Sequence, residues 1–267
     1  MRLIESVRSK DGTTIAYERR GHGPPLVMVH GSTVDRSRWG GVVSKLGEHF
    51  CLPMVARRGR GKSGDGPAYS IEREFEDVVA VLESTEVPAC LLAHSYGAIC
   101  SLEASRLTTR IARMVLYEPP LPLSGQGPIF PADLGQRLDN LLAAEDRAGV
   151  VETFLREVIR LSERDIERLR RSSSWPVRLQ AAHTIPREVG VASTYQFRAE
   201  GFAQVCVPTL FLIGSRSPAY MHAATAMASA AVAGSRVESL RGQGHAAMST
   251  GPRVFLEKVL PFLLANP

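Results

Sequence analysis

Short apolar runs rich in β-formers alternate along this chain with segments whose apolar residues recur at helical spacing. PPLVMVH (24–30), FCLPMVA (50–56), PACLLAH (88–94), IARMVLYE (111–118), VPTLFLIG (207–214) and RVESL (236–240) are too short for helices and are bounded by glycine, proline or polar turns. Between them, residues 37–49, 71–84, 96–107, 219–233 and 252–264 have helical spacing. Strands that are apolar on both faces, each followed by a helix, predict a mostly parallel sheet covered on both sides.

Two segments depart from this rhythm. Residues 3–19 alternate around Asp11-Gly12, which predicts a β-hairpin at the start of the sheet. After Glu118, Pro119, Pro120, Pro122, Pro128 and Pro131 open a segment that runs to about residue 204. Its stretches LGQRLDNLLAAEDRAG, VVETFLREVIRLS and SERDIERLRRS are amphipathic or charged helical patterns, the last read as a continuation of the one before it. The expected organisation is therefore a core of residues 1–120 and 205–267 interrupted by a helical insertion, 121–204.

Composition narrows the partners. At 267 residues, 44% hydrophobic and 22% charged, the chain can bury a large core. Its net charge of +5 is dispersed among acids, as in RLSERDIERLRR, without interleaved aromatics, so a solvated helix face is expected rather than a nucleic-acid surface. Cys51, Cys90, Cys100 and Cys206 are widely spaced, with no CxxC pair or metal-ligand pattern, and read as reduced thiols of a cytoplasmic protein. MRLIESVRSKDG carries no long apolar stretch, so neither a leader nor a membrane span is expected. A small-molecule substrate is the expected partner, and a homo-oligomer is compatible with the sequence.

The strand ends carry the chemistry. In AHSYG (93–97), Ser95 lies where a buried strand turns sharply into a helix, with Ala93 and Gly97 leaving room for a strained backbone. Such a turn exposes the serine above the sheet; the plain alternative is a helix N-cap serine. VMVHGS ends another strand at His30-Gly31, so the amides of Ser32 and Tyr96 can form a two-donor oxyanion hole. RGQGHAAM places His245 in a glycine-rich loop before the last helix, where a base can reach a distant serine. GRGKSG (59–64) matches a nucleotide-binding pattern literally, but Ala56 stands where a P-loop needs glycine. Asp65-Gly66-Pro67 also follows where a helix should begin, so nucleotide binding is not expected.

Taken together, VHGSTVDRSRW, ARRGRGKSGDGPAY, AHSYGA, VLYEPP, VPTLFLIG and GQGHAAM resemble the α/β-hydrolase superfamily in order and spacing. The resemblance implies an eight-stranded, mainly parallel sheet with a helical cap after the sixth strand. It also implies Ser95 as nucleophile, His245 as base, the Ser32 and Tyr96 amides as oxyanion hole, and no cofactor or metal. The sequence departs from the family pattern at Ala56, where Asp is frequent. It departs again after the seventh strand, where the usual acid is replaced by Ser215, Arg216 and Ser217. Some members carry the acid at the end of the sixth strand, the place of Glu118. Arg216 is then free to face the pocket and pair with an acidic substrate or with Glu118. The expected activity is hydrolysis of an ester or related acyl bond. Carbon–carbon bond cleavage in the same pocket and ligand binding without turnover are the rival readings.

Overall fold

The computed structural model describes residues 3–66, 68–123 and 130–265. Its centre is an eight-stranded sheet in the order β1-β2-β4-β3-β5-β6-β7-β8. The strands are β1 (Leu3–Arg8), β2 (Thr14–Gly21), β3 (Leu26–Val29), β4 (Cys51–Val55), β5 (Ala89–His94), β6 (Ile111–Tyr117), β7 (Thr209–Gly214) and β8 (Arg236–Leu240). β1 and β2 form the expected antiparallel hairpin, β2 also pairs antiparallel with β4, and every pairing from β4 to β8 is parallel.

The apolar strands are explained by what lies on each face. Side chains alternate across a strand, so Val27, Val29, Leu91, Ala93, Leu116 and Phe211 enter one core while Leu26, Met28, Cys90, Leu92, Val115 and Leu210 enter the other. α2 (Ile71–Glu83), α3 (Tyr96–Ala104) and α9 (Ala219–Ala231) cover the first face. α11 (Pro252–Leu263) covers the second, together with Trp39 and with Leu46 of the short α1 (Val43–Leu46).

Residues 37–49 do not form one continuous helix. A 3₁₀ turn, Arg36–Trp39, is separated from α1 by Gly40 and Gly41. A Cβ on Gly41 would lie 2.4 Å from the Met248 carbonyl oxygen. The close approach of the 245–250 segment therefore requires glycine there, and glycine weakens the helix.

The helical insertion comprises α4 (Leu134–Ala143), α5 (Arg147–Glu157), α6 (Glu163–Arg170), α7 (Trp175–Ala181) and α8 (Ile185–Thr194). These share their own apolar cluster, including Leu134, Leu138, Val151, Phe154, Ile166 and Ile185. The charged stretch after α5 is a separate helix rather than its continuation, because Ser162 caps α6 by accepting from the Asp165 N–H. Pro128 of the proline-rich opening lies outside the described residues.

Among the described residues, no helix is long and apolar enough to cross a membrane and no cluster of potential metal ligands occurs. The four cysteines are free; Cys90 and Cys100 are buried and Cys206 is exposed. Among the described residues, no helix begins after the GRGKSG loop until Ile71, so the loop lacks the helix start that a phosphate cradle needs.

Candidate active site

The parallel strands bring their carboxyl ends to one edge. β3 lies between β4 and β5, so the chain path reverses there and leaves a crevice of the kind that receives ligands in open α/β sheets. Gly31 and Ser32 follow β3, Ser95 follows β5, Glu118 follows β6 and His245 follows β8.

Ser95 has φ 56° and ψ −127°, a backbone strained for any residue but glycine. Its neighbours explain how the strain is held. The Ser95 N–H donates to the Tyr117 carbonyl at 2.9 Å. A Cβ on Gly97 would stand 2.3 Å from the His30 carbonyl oxygen, and one on Gly31 would stand 2.8 Å from Cβ of Ser95. The two glycines thus allow β3 and α3 to close on the serine from either side.

His245 joins the serine to a carboxylate. Its Nε2 is 3.0 Å from Ser95 Oγ, and its Nδ1 is 2.5 Å from Glu118 Oε2. Glu118 is fully buried, with φ 50°. Its other oxygen, Oε1, accepts the Gly214 N–H at 2.7 Å and the Ser217 hydroxyl at 2.5 Å. Burial alone would raise the pKa of this carboxyl. The hydrogen bonds from His245, Ser217 and Gly214 outweigh burial and hold it below the ordinary carboxylate value. The loop after β7, which lacks an acid, thus supplies donors to the acid that follows β6.

The Gly31–Ser32 peptide is oriented from behind. His30 is fully buried and, by desolvation first and the nearby Arg60 and Arg57 charges second, is kept neutral well below the usual histidine pKa. Its Nε2 accepts the Arg57 N–H at 3.4 Å, so Nδ1 carries the proton and donates to the Gly31 carbonyl at 2.8 Å. In a planar trans peptide the N–H points opposite the carbonyl, which directs the Ser32 N–H away from His30. The Tyr96 N–H is at the first position of α3, where no intrahelical acceptor exists.

Ser32, Ser95, Tyr96 and His245 line one cavity of about 30 Å³, with apolar walls that include Phe130, Phe154, Val158, Ile159, Val189 and Met221. Several of these walls come from the helical insertion. A larger groove of about 1200 Å³, beside α2 and α8, contains none of Ser95, Glu118 and His245. Arg216 is brought to neither the acid nor the cavity: its side chain is exposed and its N–H donates to the Gln243 carbonyl at 2.8 Å.

Three features of the site were not identified in the sequence. His94 Nε2–H donates to the His245 carbonyl at 2.7 Å, and the Tyr117 hydroxyl donates to Gly244, so both pin the loop that carries the base. Glu188 of α8 lines the cavity and binds two core arginines, Arg57 at 2.9 Å and Arg60 at 2.5 Å. Burial would raise its pKa, but the two guanidiniums keep it lowered. Arg57 also forks onto Glu74 and lies 4.6 Å above the Tyr96 ring. The arginine-rich loop after β4 was the available signal, but its partners lie on distant segments.

Comparison with known proteins agrees with this architecture. A crystal structure of an alpha/beta hydrolase from Sphaerobacter thermophilus superimposes with a TM-score of 0.83 at 33% identity, covering 95% of this chain and 99% of that one. A pimeloyl-[acyl-carrier protein] methyl ester esterase of Aeromonas salmonicida is 25% identical over 259 residues, covering 94% of this chain and 99% of the esterase. An N-formylmaleamate deformylase of Pseudomonas putida is 32% identical over 135 residues, so the match spans only 49% of either chain. The sequence pattern of the alpha/beta hydrolase family matches residues 26–258. With that match over most of its length and the same eight-stranded architecture, the chain belongs to the alpha/beta hydrolase family and is a hydrolase.

Proposed function

We propose that this protein is a serine hydrolase that cleaves an ester or related acyl bond of a small molecule, with Ser95 as nucleophile, His245 as base and Glu118 as acid. The observation that carries the reading is the His245 ring, bonded at once to Ser95 Oγ and Glu118 Oε2. An ionised carboxylate only accepts, so Nδ1 must hold the ring proton and Nε2 presents its lone pair to the serine hydroxyl. Ser95 then attacks the substrate carbonyl as His245 takes its proton, and Glu118 stabilises the resulting imidazolium. The amides of Ser32 and Tyr96 hold the oxyanion; His245 returns the proton to the leaving group, and water releases the acyl-enzyme. Relatives named as an esterase and a deformylase support acyl chemistry.

The helical insertion acts in this reading as a cap that selects the acyl group, because Phe154, Val158 and Ile159 of that segment share a cavity with Ser95. The cavity beside Ser95, about 30 Å³, holds little more than a water or two. The test is labelling by a fluorophosphonate together with turnover of 4-nitrophenyl acetate. Wild type should be labelled on Ser95 and turn the ester over, and Ser95→Ala should lose both, with turnover down about 10⁴- to 10⁶-fold. Undiminished turnover in Ser95→Ala removes the nucleophile assignment.

A further inference from the structure

One acid in the wall of the Ser95 cavity has no part in the triad. Glu188, Val189 and Ala192 lie on one face of α8, and that face lines the cavity opposite residues of the core. Glu188 is 1% exposed. Its Oε1 accepts from Arg57 Nη2 at 2.9 Å and from Arg60 Nη2 at 2.5 Å. Its Oε2 is buried and accepts no hydrogen bond from the described residues. Both core arginines hold Oε1, so Oε2 is the oxygen left to the cavity. Burial alone would raise the pKa of this carboxyl, but Arg57 and Arg60 keep it ionised, and an ionised carboxylate only accepts. A buried acceptor without a donor calls for an explanation. The other polar groups of the wall are engaged: Ser95 with His245, and the Tyr96 hydroxyl with that of Tyr69 at 2.7 Å.

We infer that Glu188 is a specificity-determining acceptor of the acyl pocket, and that its Oε2 takes a hydrogen bond from a hydroxyl on the second or third carbon of the acyl chain that Ser95 attacks. The charges around Glu188 select the kind of donor. Arg57 also pairs with Glu74 at 2.6 Å, so two carboxylates balance the two guanidiniums of Arg57 and Arg60. An ammonium group would bring an uncompensated charge against Phe154, Val158 and Val189, which is costly. A hydroxyl supplies the missing donor without adding charge. The size of the cavity, about 30 Å³, sets the position. Few atoms fit between the carbonyl carbon at Ser95 and the wall, so the hydroxyl belongs on a carbon close to that carbonyl. An oxo group in the same place turns an acceptor toward Oε2 and is rejected, because the buried carboxylate oxygen is then left unpaired.

The inference rests on the serine-hydrolase reading, and the test separates the two. The substrates are the methyl esters of 2-hydroxybutyrate and 3-hydroxybutyrate, each paired with its 2-oxo or 3-oxo counterpart, followed by acid release and divided by each ester's rate with hydroxide. Wild type should prefer hydroxy to oxo by at least about 10-fold in kcat/KM at one of the two positions, the range of a charge-assisted hydrogen bond. In Glu188→Gln the amide oxygen stays with Arg57 and Arg60, and the NH₂ takes the place of Oε2 and offers a donor. The hydroxy-to-oxo ratio should therefore fall about 10- to 100-fold, a change of sign in preference that loss of a merely structural ion pair would not produce. A wild type without the preference, or a variant that slows both members of a pair equally, overturns the inference while leaving the hydrolase reading intact. A second measurement needs neither turnover nor a Glu188 variant. One of the methyl hydroxybutyrates should raise the Tm of Ser95→Ala protein, and its oxo counterpart should not. If neither hydroxy ester stabilises that protein, or if the oxo esters do so equally, the acceptor role of Glu188 is refuted. If no ester is turned over and Ser95 resists the fluorophosphonate, the hydrolase reading fails, and the Tm shift still decides whether Glu188 receives a hydroxyl.

Discussion

Replacing Glu118 by glutamine preserves shape and removes one charge, and the hydrogen bonds around the carboxylate set how the new amide must sit. Oε1 receives two donors, from Gly214 and Ser217, whereas Oε2 receives one, from His245. The single carbonyl of glutamine therefore settles at the Oε1 position, and its NH₂ faces His245 Nδ1. Two donors cannot face each other, so the ring moves its proton to Nε2 and presents a donor to Ser95 where a base is required. The transition state also loses the carboxylate beside the imidazolium. For unit charges about 4 Å apart at an effective dielectric of about 20 that is worth about 4 kcal/mol. Restoring the productive tautomer costs about 1 kcal/mol more, the scale of one hydrogen bond. Together these correspond to a loss of about 10³- to 10⁴-fold in kcat, the scale seen when the triad acid of a serine protease is replaced by its amide. The assay is turnover of 4-nitrophenyl acetate alongside the rate of fluorophosphonate labelling of Ser95, with Tm as the folding control. Both rates should fall together. A folded Glu118→Gln protein with wild-type turnover refutes the assignment of Glu118 as the acid.

His30→Ala frees the Gly31 carbonyl, so the Ser32 amide loses its fixed direction; kcat should fall about 10- to 100-fold, less than the roughly 10²- to 10³-fold loss of a deleted oxyanion donor. An unchanged kcat in a folded variant rules out the positioning role. Val158→Ala removes two methyl-sized groups from the cavity wall, so the optimum along a 4-nitrophenyl ester series should move to longer acyl chains by about fourfold in kcat/KM per added methylene. An unaltered profile places the acyl group elsewhere. The native pKa of Glu118 lies below its unfolded value of 4.5, so its ionised form stabilises the fold fully above 4.5, and that contribution disappears as pH falls through the native value. Urea unfolding of wild type and Glu118→Gln should show a stability gap that is constant from neutral pH down to 4.5 and closes below it. A gap that widens on acidification contradicts the depressed pKa.

The sheet, its flanking helices and the positions of Ser95, Glu118 and His245 at strand ends were legible in the sequence for a local reason. A strand buried on both faces must be apolar on consecutive residues, and a sharp strand-to-helix turn must be flanked by small ones. VMVHG and AHSYG display both demands. Features that depend on approach between distant segments were not legible. The break at Gly40-Gly41 is set by the Met248 carbonyl, more than 200 positions away in the chain. The sequence does not by itself say that Arg216 is exposed while Arg178 is buried. Only the packing of the helical insertion against the core pairs Arg57 and Arg60 with Glu188, buries Arg178 against Thr33 and leaves Arg216 in solvent. Residue type determines what an arginine can bind. Which arginine meets a carboxylate of this chain is decided by packing, because only the fold brings the acids of distant segments within reach; desolvation then makes those buried pairs costly to break.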